Sequence, residues 1–271
     1  IFQRAAPVRN GVFRPVARPW LGQQAGSPAP EQRPRRPCHT RPAELLRAVR
    51  SPLPGRRRLA DEGELAAQLA LATLLPVLLV DYRLAPEHPF PAGVEDVVKV
   101  YQALLASGKS AAQVVIGGDS AGGGLALSAL LVLRAQNIPL PAAAILLSPW
   151  ADLAVSGETI QTRAMVDPLV LEPDLQSCAA QYIGTGEPSD PLASPVYADL
   201  HGLPPLLIHV GDHEVLLSDS LRLAQTAHED GVDVELVVWD EMWHVFPAWA
   251  PDLPEGPQAL DKIGESLRQT I

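Results

Sequence analysis

From residue 77 onward, five short Val/Leu/Ile-rich runs punctuate the chain: Val77 to Val80, Val114 to Ile116, Ala142 to Leu147, Leu206 to Val210 and Val234 to Trp239. Runs of this length that are continuous in Val, Leu and Ile rather than alternating with polar residues read as strands of a sheet covered on both faces. Between them lie stretches of helical period. Val97, Val98, Tyr101 and Leu104 share one face of a segment from Val94 to Leu105, and Ala/Leu-rich sequence runs from Ala121 to about Ala135. Further helices are predicted from Val215 to His228 and from Gln258 to Gln269, and an earlier one through Leu65, Leu69 and Leu71 ends before Pro76. Strands and helices in alternation make a parallel sheet covered on both sides, so the predicted fold class is α/β. Residues 151–200 break the rhythm. With short helical pieces such as Asp174 to Tyr182 between Pro-containing turns, they read as an insertion over the sheet.

The first sixty residues read differently. They hold thirteen arginines, no lysine, two acids (Glu31 and Glu44) and ten of the 28 prolines, with no hydrophobic period. Their charge is +11, which leaves −21 on residues 61–271 of a chain whose net charge is −10. A basic disordered arm, an irregular cap and a stretch translated out of frame all fit. GC-rich coding DNA read one base out yields Arg, Pro, Ala and Gly, and this favours the third. The expected organisation is therefore an anomalous segment, 1–60, followed by one domain, 61–271.

With 47% hydrophobic residues, the chain has material for a single large core. The acidic balance argues against a nucleic-acid partner, since phosphate binding needs a basic face. The longest apolar run, Leu69 to Val80, is shorter than a membrane helix requires and contains Pro76, so no integral membrane segment is expected. Cys38 and Cys178 form neither a disulfide framework nor a metal pattern. A reducing, cytoplasmic compartment is expected, with no metal or organic cofactor.

The chemistry enters at Gly118-Asp119-Ser120-Ala121-Gly122, which fits G-x-S-x-G. The pentapeptide alone is a common chance match, but here it lies between a buried strand and a helix, the setting a nucleophile elbow needs. Glycines flank the serine because the sharp turn leaves no room for side chains. The Ala121 N–H, in the first helical turn, is the candidate oxyanion donor.

A serine hydroxyl needs a histidine to take its proton, and that histidine needs a carboxylate to hold its tautomer. In this arrangement the order along the chain is serine, acid, histidine. Seven histidines compete. His39 is in the anomalous segment, His88 and His201 are in Pro-rich turns before strands, His209 is inside a strand and His228 ends a helix. Of His213 and His244, only His244 follows the last strand, so it is the predicted base. The acid belongs after Leu206–Val210, where Asp212 and Glu214 both qualify; Asp219 lies a turn into the next helix. Position does not separate the first two.

Together, several segments resemble the hormone-sensitive-lipase-like family of microbial carboxylesterases. They are Asp81-Tyr82-Arg83-Leu84-Ala85-Pro86-Glu87-His88-Pro89-Phe90-Pro91-Ala92, the Gly118–Gly122 elbow, Leu147-Ser148-Pro149-Trp150-Ala151-Asp152-Leu153, Leu203-Pro204-Pro205-Leu206-Leu207-Ile208 and Trp243-His244. The likeness runs from about Leu65 to the C-terminus. It implies an α/β-hydrolase that cleaves short-to-medium acyl esters through an acyl-enzyme, with a small-molecule ester as its partner. The run from Gly211 to Ser220 resembles the branch with glutamate as the acid, which implies Glu214 and keeps Asp212 in reserve. The alternatives are a non-catalytic binder of small molecules on the same scaffold, or an inactive, truncated or frameshifted esterase.

In one respect the chain departs from the family. Members carry a His-Gly-Gly-Gly stretch, after a mid-sheet strand, whose N–H groups supply half of the oxyanion hole. The only glycine triplet here, Gly122 to Gly124, follows the serine. Ala43 to Val49 is short and carries Arg47, so the mid-sheet slot is expected to be vacant.

Overall fold

The structure, a computed structural model, describes residues 44–48, 59–250 and 252–271. Within these, six strands form one sheet: β1 (Glu44–Ala48), β2 (Val77–Val80), β3 (Val114–Asp119), β4 (Ala143–Leu147), β5 (Leu206–Gly211) and β6 (Val234–Trp239). All neighbours pair in parallel, in the order β2-β1-β3-β4-β5-β6. The helices are α1 (Leu59–Thr73), α2 (Ala92–Ala106), α3 (Ala121–Ala135), α4 (Thr159–Thr162), α5 (Glu172–Ile183), α6 (Leu217–Glu229) and α7 (Glu255–Thr270).

The expected vacancy in the sheet is corrected. β1 fills the slot, with Leu45 in register with Val77 on one side and Val115 on the other. The physical reason lies in the backbone. Two flanking strands present unpaired N–H and C=O groups, each costing about 1–3 kcal/mol if buried. Five extended residues satisfy them whether or not the side chains make an unbroken apolar run. Apart from the start of α1 at Leu59, the rest of the anomalous segment, including His39, Cys38 and the residues after Ala48 that would replace His-Gly-Gly-Gly, lies outside the described residues.

Because side chains alternate across a strand, each central strand feeds two cores. Val114, Ile116, Ala144, Leu146 and Ile208 face α2, α3 and α6, packing with Val97, Tyr101, Leu127, Leu130 and Leu223. Val115, Ile145, Leu147 and Leu207 face α1 and α7, against Leu65, Leu69, Leu260, Ile263 and Leu267. The insertion has an apolar cluster of its own, including Trp150, Leu153, Ile160, Leu175, Cys178 and Ile183. No described helix is long and apolar enough to cross a membrane.

Packing around α3 is tight enough to dictate glycine. A Cβ on Gly124 would stand 2.1 Å from the Trp150 carbonyl oxygen, and one on Gly118 would stand 2.1 Å from that of Gly122. Backbone cannot yield as a side-chain tip does, so Gly124→Ala is expected to destabilise by about 3 kcal/mol, at the upper end of overpacking costs. Gly63, within α1, has nothing within 4 Å of its added Cβ. There the same substitution is expected to stabilise by about 0.5–1 kcal/mol through helix propensity. Urea unfolding of the two variants beside wild type checks both signs.

Candidate active site

β3 runs directly into α3, and Ser120 occupies the corner between them. Its backbone sits at φ 54° and ψ −124°, outside the regions comfortable for a residue with a Cβ. Neighbouring hydrogen bonds hold it there. The Ser120 N–H donates to Leu147 O at 2.9 Å, while the Ser120 carbonyl accepts from Trp150 N at 2.9 Å and Gly123 N at 3.0 Å. The corner closes because Gly118 has no Cβ: one there would stand 2.1 Å from Gly122 O and 2.7 Å from Gly123 N.

Loops after β5 and β6 bring the other two groups to this corner. His244 Nε2 lies 2.9 Å from Ser120 Oγ, and His244 Nδ1 lies 2.8 Å from Glu214 Oε2. The serine, acid and base are 8%, 0% and 6% exposed, so bulk water does not compete for these bonds. The loops reach each other across Gly211, where an added Cβ would stand 2.0 Å from Met242 O. His213 N–H then donates to that same Met242 carbonyl at 3.0 Å. The second oxygen of the acid is also held. Glu214 Oε1 accepts from Gly211 N at 2.6 Å and from Ser148 Oγ at 2.9 Å.

Burial works against charge on His244, but the hydrogen bond and charge of Glu214, reinforced by Asp167 and Asp119, outweigh it and raise the imidazole pKa above its usual 6.5. A base must be neutral to accept a proton. The acid limb of kcat/KM is therefore expected to have its midpoint above pH 6.5, with activity lost as the pH falls through it. A pH-stat titration of ester hydrolysis measures this directly. A midpoint below 6.5 would contradict the electrostatics just described.

The remaining candidates are placed elsewhere. Asp212 is not in contact with His244; its Oδ1 accepts from Glu241 N at 2.7 Å and ties the two loops together. Asp219 is engaged by backbone rather than by His244. It accepts from Ala151 N and Asp152 N at 2.9 Å each, and burial pushes its carboxyl up to about 7. His209 is a core residue that accepts from Trp239 Nε1 at 3.2 Å, and burial pushes its pKa down to about 4. His88, His201 and His228 are exposed. Ala121 opens α3, where N–H groups lack helical partners. The second donor expected from the loop after β1 lies outside the described residues. Sequence pattern missed Ser148, which reads there only as a strand stop before Pro149. Among the described residues, no three His, Cys, Asp or Glu side chains gather as a metal site.

A mainly apolar cavity of about 200 Å³ begins at Ala121, the residue after the serine, and extends past Leu125, Trp150 and Leu153 to Cys178 and Tyr182 of α5, with Arg83 also on its wall.

Comparison with known proteins bears on the fold and the kind of activity. A family model described as the alpha/beta hydrolase fold matches residues 57–248. An acetyl-hydrolase of Streptomyces hygroscopicus is 47% identical over 204 residues, which is 75% of this chain and 68% of that protein. An esterase of Acinetobacter venetianus is 39% identical over 202 residues, covering 74% and 67%. Among solved structures, an esterase of the bacterial hormone-sensitive lipase family superposes with a TM-score of 0.82 at 47% identity, covering 85% of this chain and 78% of that one. An esterase/lipase from an uncultured bacterium gives 0.80 at 44% identity, covering 84% and 76%.

Proposed function

Because the chain belongs to the hormone-sensitive-lipase-like esterases of the α/β-hydrolase fold and is an ester-hydrolysing enzyme, we propose that it cleaves short-to-medium acyl esters through an acyl-enzyme on Ser120. The observation that carries the assignment is the unbroken line from Ser120 Oγ to His244 Nε2, at 2.9 Å, and from His244 Nδ1 to Glu214 Oε2, at 2.8 Å.

In this mechanism His244 takes the Ser120 proton as Oγ attacks the ester carbonyl. The tetrahedral oxyanion points at the Ala121 N–H, whose position at the head of α3 adds positive potential. As the carbonyl re-forms, the bond to the alcohol breaks and His244 hands its proton to the departing oxygen. Water then repeats the sequence, giving up a proton to His244 while attacking the acyl-enzyme, and Ser120 recovers that proton as the acid leaves. Glu214 stays ionised throughout and steadies the imidazolium. The hydrolase unit is residues 61–271, completed by β1 from upstream, with 151–200 as its cap. The low cysteine content supports a cytoplasmic setting.

The acyl length follows from the cavity. An apolar void of ~150 Å³ already accepts benzene, so one of about 200 Å³ suits an acyl chain of about six carbons. Cys178 lines this cavity from the cap. Cys178→Leu is expected to lower kcat/KM for p-nitrophenyl hexanoate by about 10-fold, since each displaced methylene is worth roughly 1 kcal/mol or more. Turnover of the acetate ester should stay within about twofold of wild type, because its acyl group does not reach that wall. Equal losses on both esters would remove this cavity as the acyl site.

Labelling tests the chemistry. An active-site-directed organophosphonate is expected to modify Ser120 alone, as read by peptide mass spectrometry. Folded protein that stays unlabelled would overturn the proposal in favour of a non-catalytic binder.

A further inference from the structure

We propose that Ser148 is the positioning residue of this site, its hydroxyl locking the acid and the base into one geometry. The inference rests on the roles assigned above to Glu214 and His244.

Ser148 follows the last residue of β4, with its backbone in the left-handed region at φ 47°. That conformation disfavours any residue with a Cβ, and glycine would adopt it freely. The residue is also 1% exposed. A buried serine in a strained position, where glycine is the easier choice, points to a use for its hydroxyl. That use is visible in two bonds. The oxygen accepts from Val245 N at 3.0 Å and donates to Glu214 Oε1 at 2.9 Å. A hydroxyl has one proton and two lone pairs, and an amide can only donate, so Val245 sends the hydroxyl proton to the carboxylate.

The arrangement fixes three loops at once. Through Val245 it holds the residue next to the base. Through Glu214 it occupies, with Gly211 N, the oxygen that does not face the imidazole, leaving Oε2 to meet His244 Nδ1. Through the backbone, Ser148 N–H donates to His209 O at 2.8 Å, and the preceding Leu147 carbonyl accepts from Ser120 N–H at 2.9 Å. Without the hydroxyl, the carboxylate loses one of the two donors to Oε1, and the loop carrying His244 loses its side-chain tether at Val245.

Ser148→Ala and Ser148→Gly separate positioning from packing. Both are assayed on p-nitrophenyl acetate, with kcat expressed per site titrated by the organophosphonate, so that misfolded protein does not enter the rate. Thermal midpoints are recorded alongside. Both variants are expected to lose about 10–100-fold in kcat, the scale of a misplaced catalytic group. KM should stay within about twofold, because the substrate-facing surface is unchanged. Ser148→Gly should melt no lower than Ser148→Ala, since it relieves the backbone strain. A glycine variant turning over within twofold of wild type would overturn the proposal, as would a loss confined to KM. Wild type that neither labels nor turns over would instead sink the roles of Ser120, Glu214 and His244.

Discussion

Alanine at position 120 is expected to lower kcat for ester hydrolysis by at least about 10⁴-fold, the scale seen when the nucleophile of a serine triad is removed. Ser120 Oγ is the group His244 Nε2 addresses, at 2.9 Å, and alanine leaves the imidazole with nothing to deprotonate. The fold should survive, because alanine keeps the Cβ that Ser120 already places at φ 54°. Glycine at the same position adds a second readout. It accepts that conformation without penalty, so Ser120→Gly is expected to be as inactive as alanine yet more stable by about 1–2 kcal/mol, the cost of holding a residue with a Cβ in a left-handed conformation. Urea midpoints and single-turnover rates measure the pair. Retained activity in either variant removes Ser120 as the nucleophile.

Glu214→Gln is the second large effect, expected to cost about 10³–10⁴-fold in kcat. The reason lies in the donors around the carboxylate. Gly211 N–H sits 2.6 Å from Oε1 and can only donate. A glutamine must therefore turn its carbonyl oxygen to Gly211, which points its NH₂ at His244 Nδ1. The imidazole then accepts at Nδ1 and carries its proton on Nε2, facing the serine as a donor when it should be a base. Asp212→Asn is the control. Its Oδ1 accepts from Glu241 N at 2.7 Å, a bond an asparagine oxygen can keep, so kcat should remain within about threefold of wild type. If the two variants exchange effects, the acid is Asp212.

Some of this site was legible along the chain and some was not. The elbow was, because a glycine-flanked serine between a buried run and an Ala/Leu-rich helix is a local pattern. His244 was, because it alone of the histidines follows the last apolar run closely. The acid was not decided by position: Asp212 and Glu214 are two residues apart, and resemblance, not spacing, pointed to Glu214. The loop conformation is what turns Glu214 inward to 0% exposure and leaves Asp212 bonded to Glu241. Ser148 was invisible for a related reason, since its partners Glu214 and Val245 are 66 and 97 residues away.

The same division runs through the sheet. Apolar runs and helical period determined five strands, the helices between them and hence the α/β class, because those signals reflect which faces each segment must bury. Only tertiary structure decided that Glu44–Ala48 stands between β2 and β3. A strand in that slot is recruited by the unpaired backbone of its neighbours, a demand its own side chains do not record. Local chemistry is written in neighbouring residues; which distant loops meet at Ser120 depends on how the whole sheet is ordered.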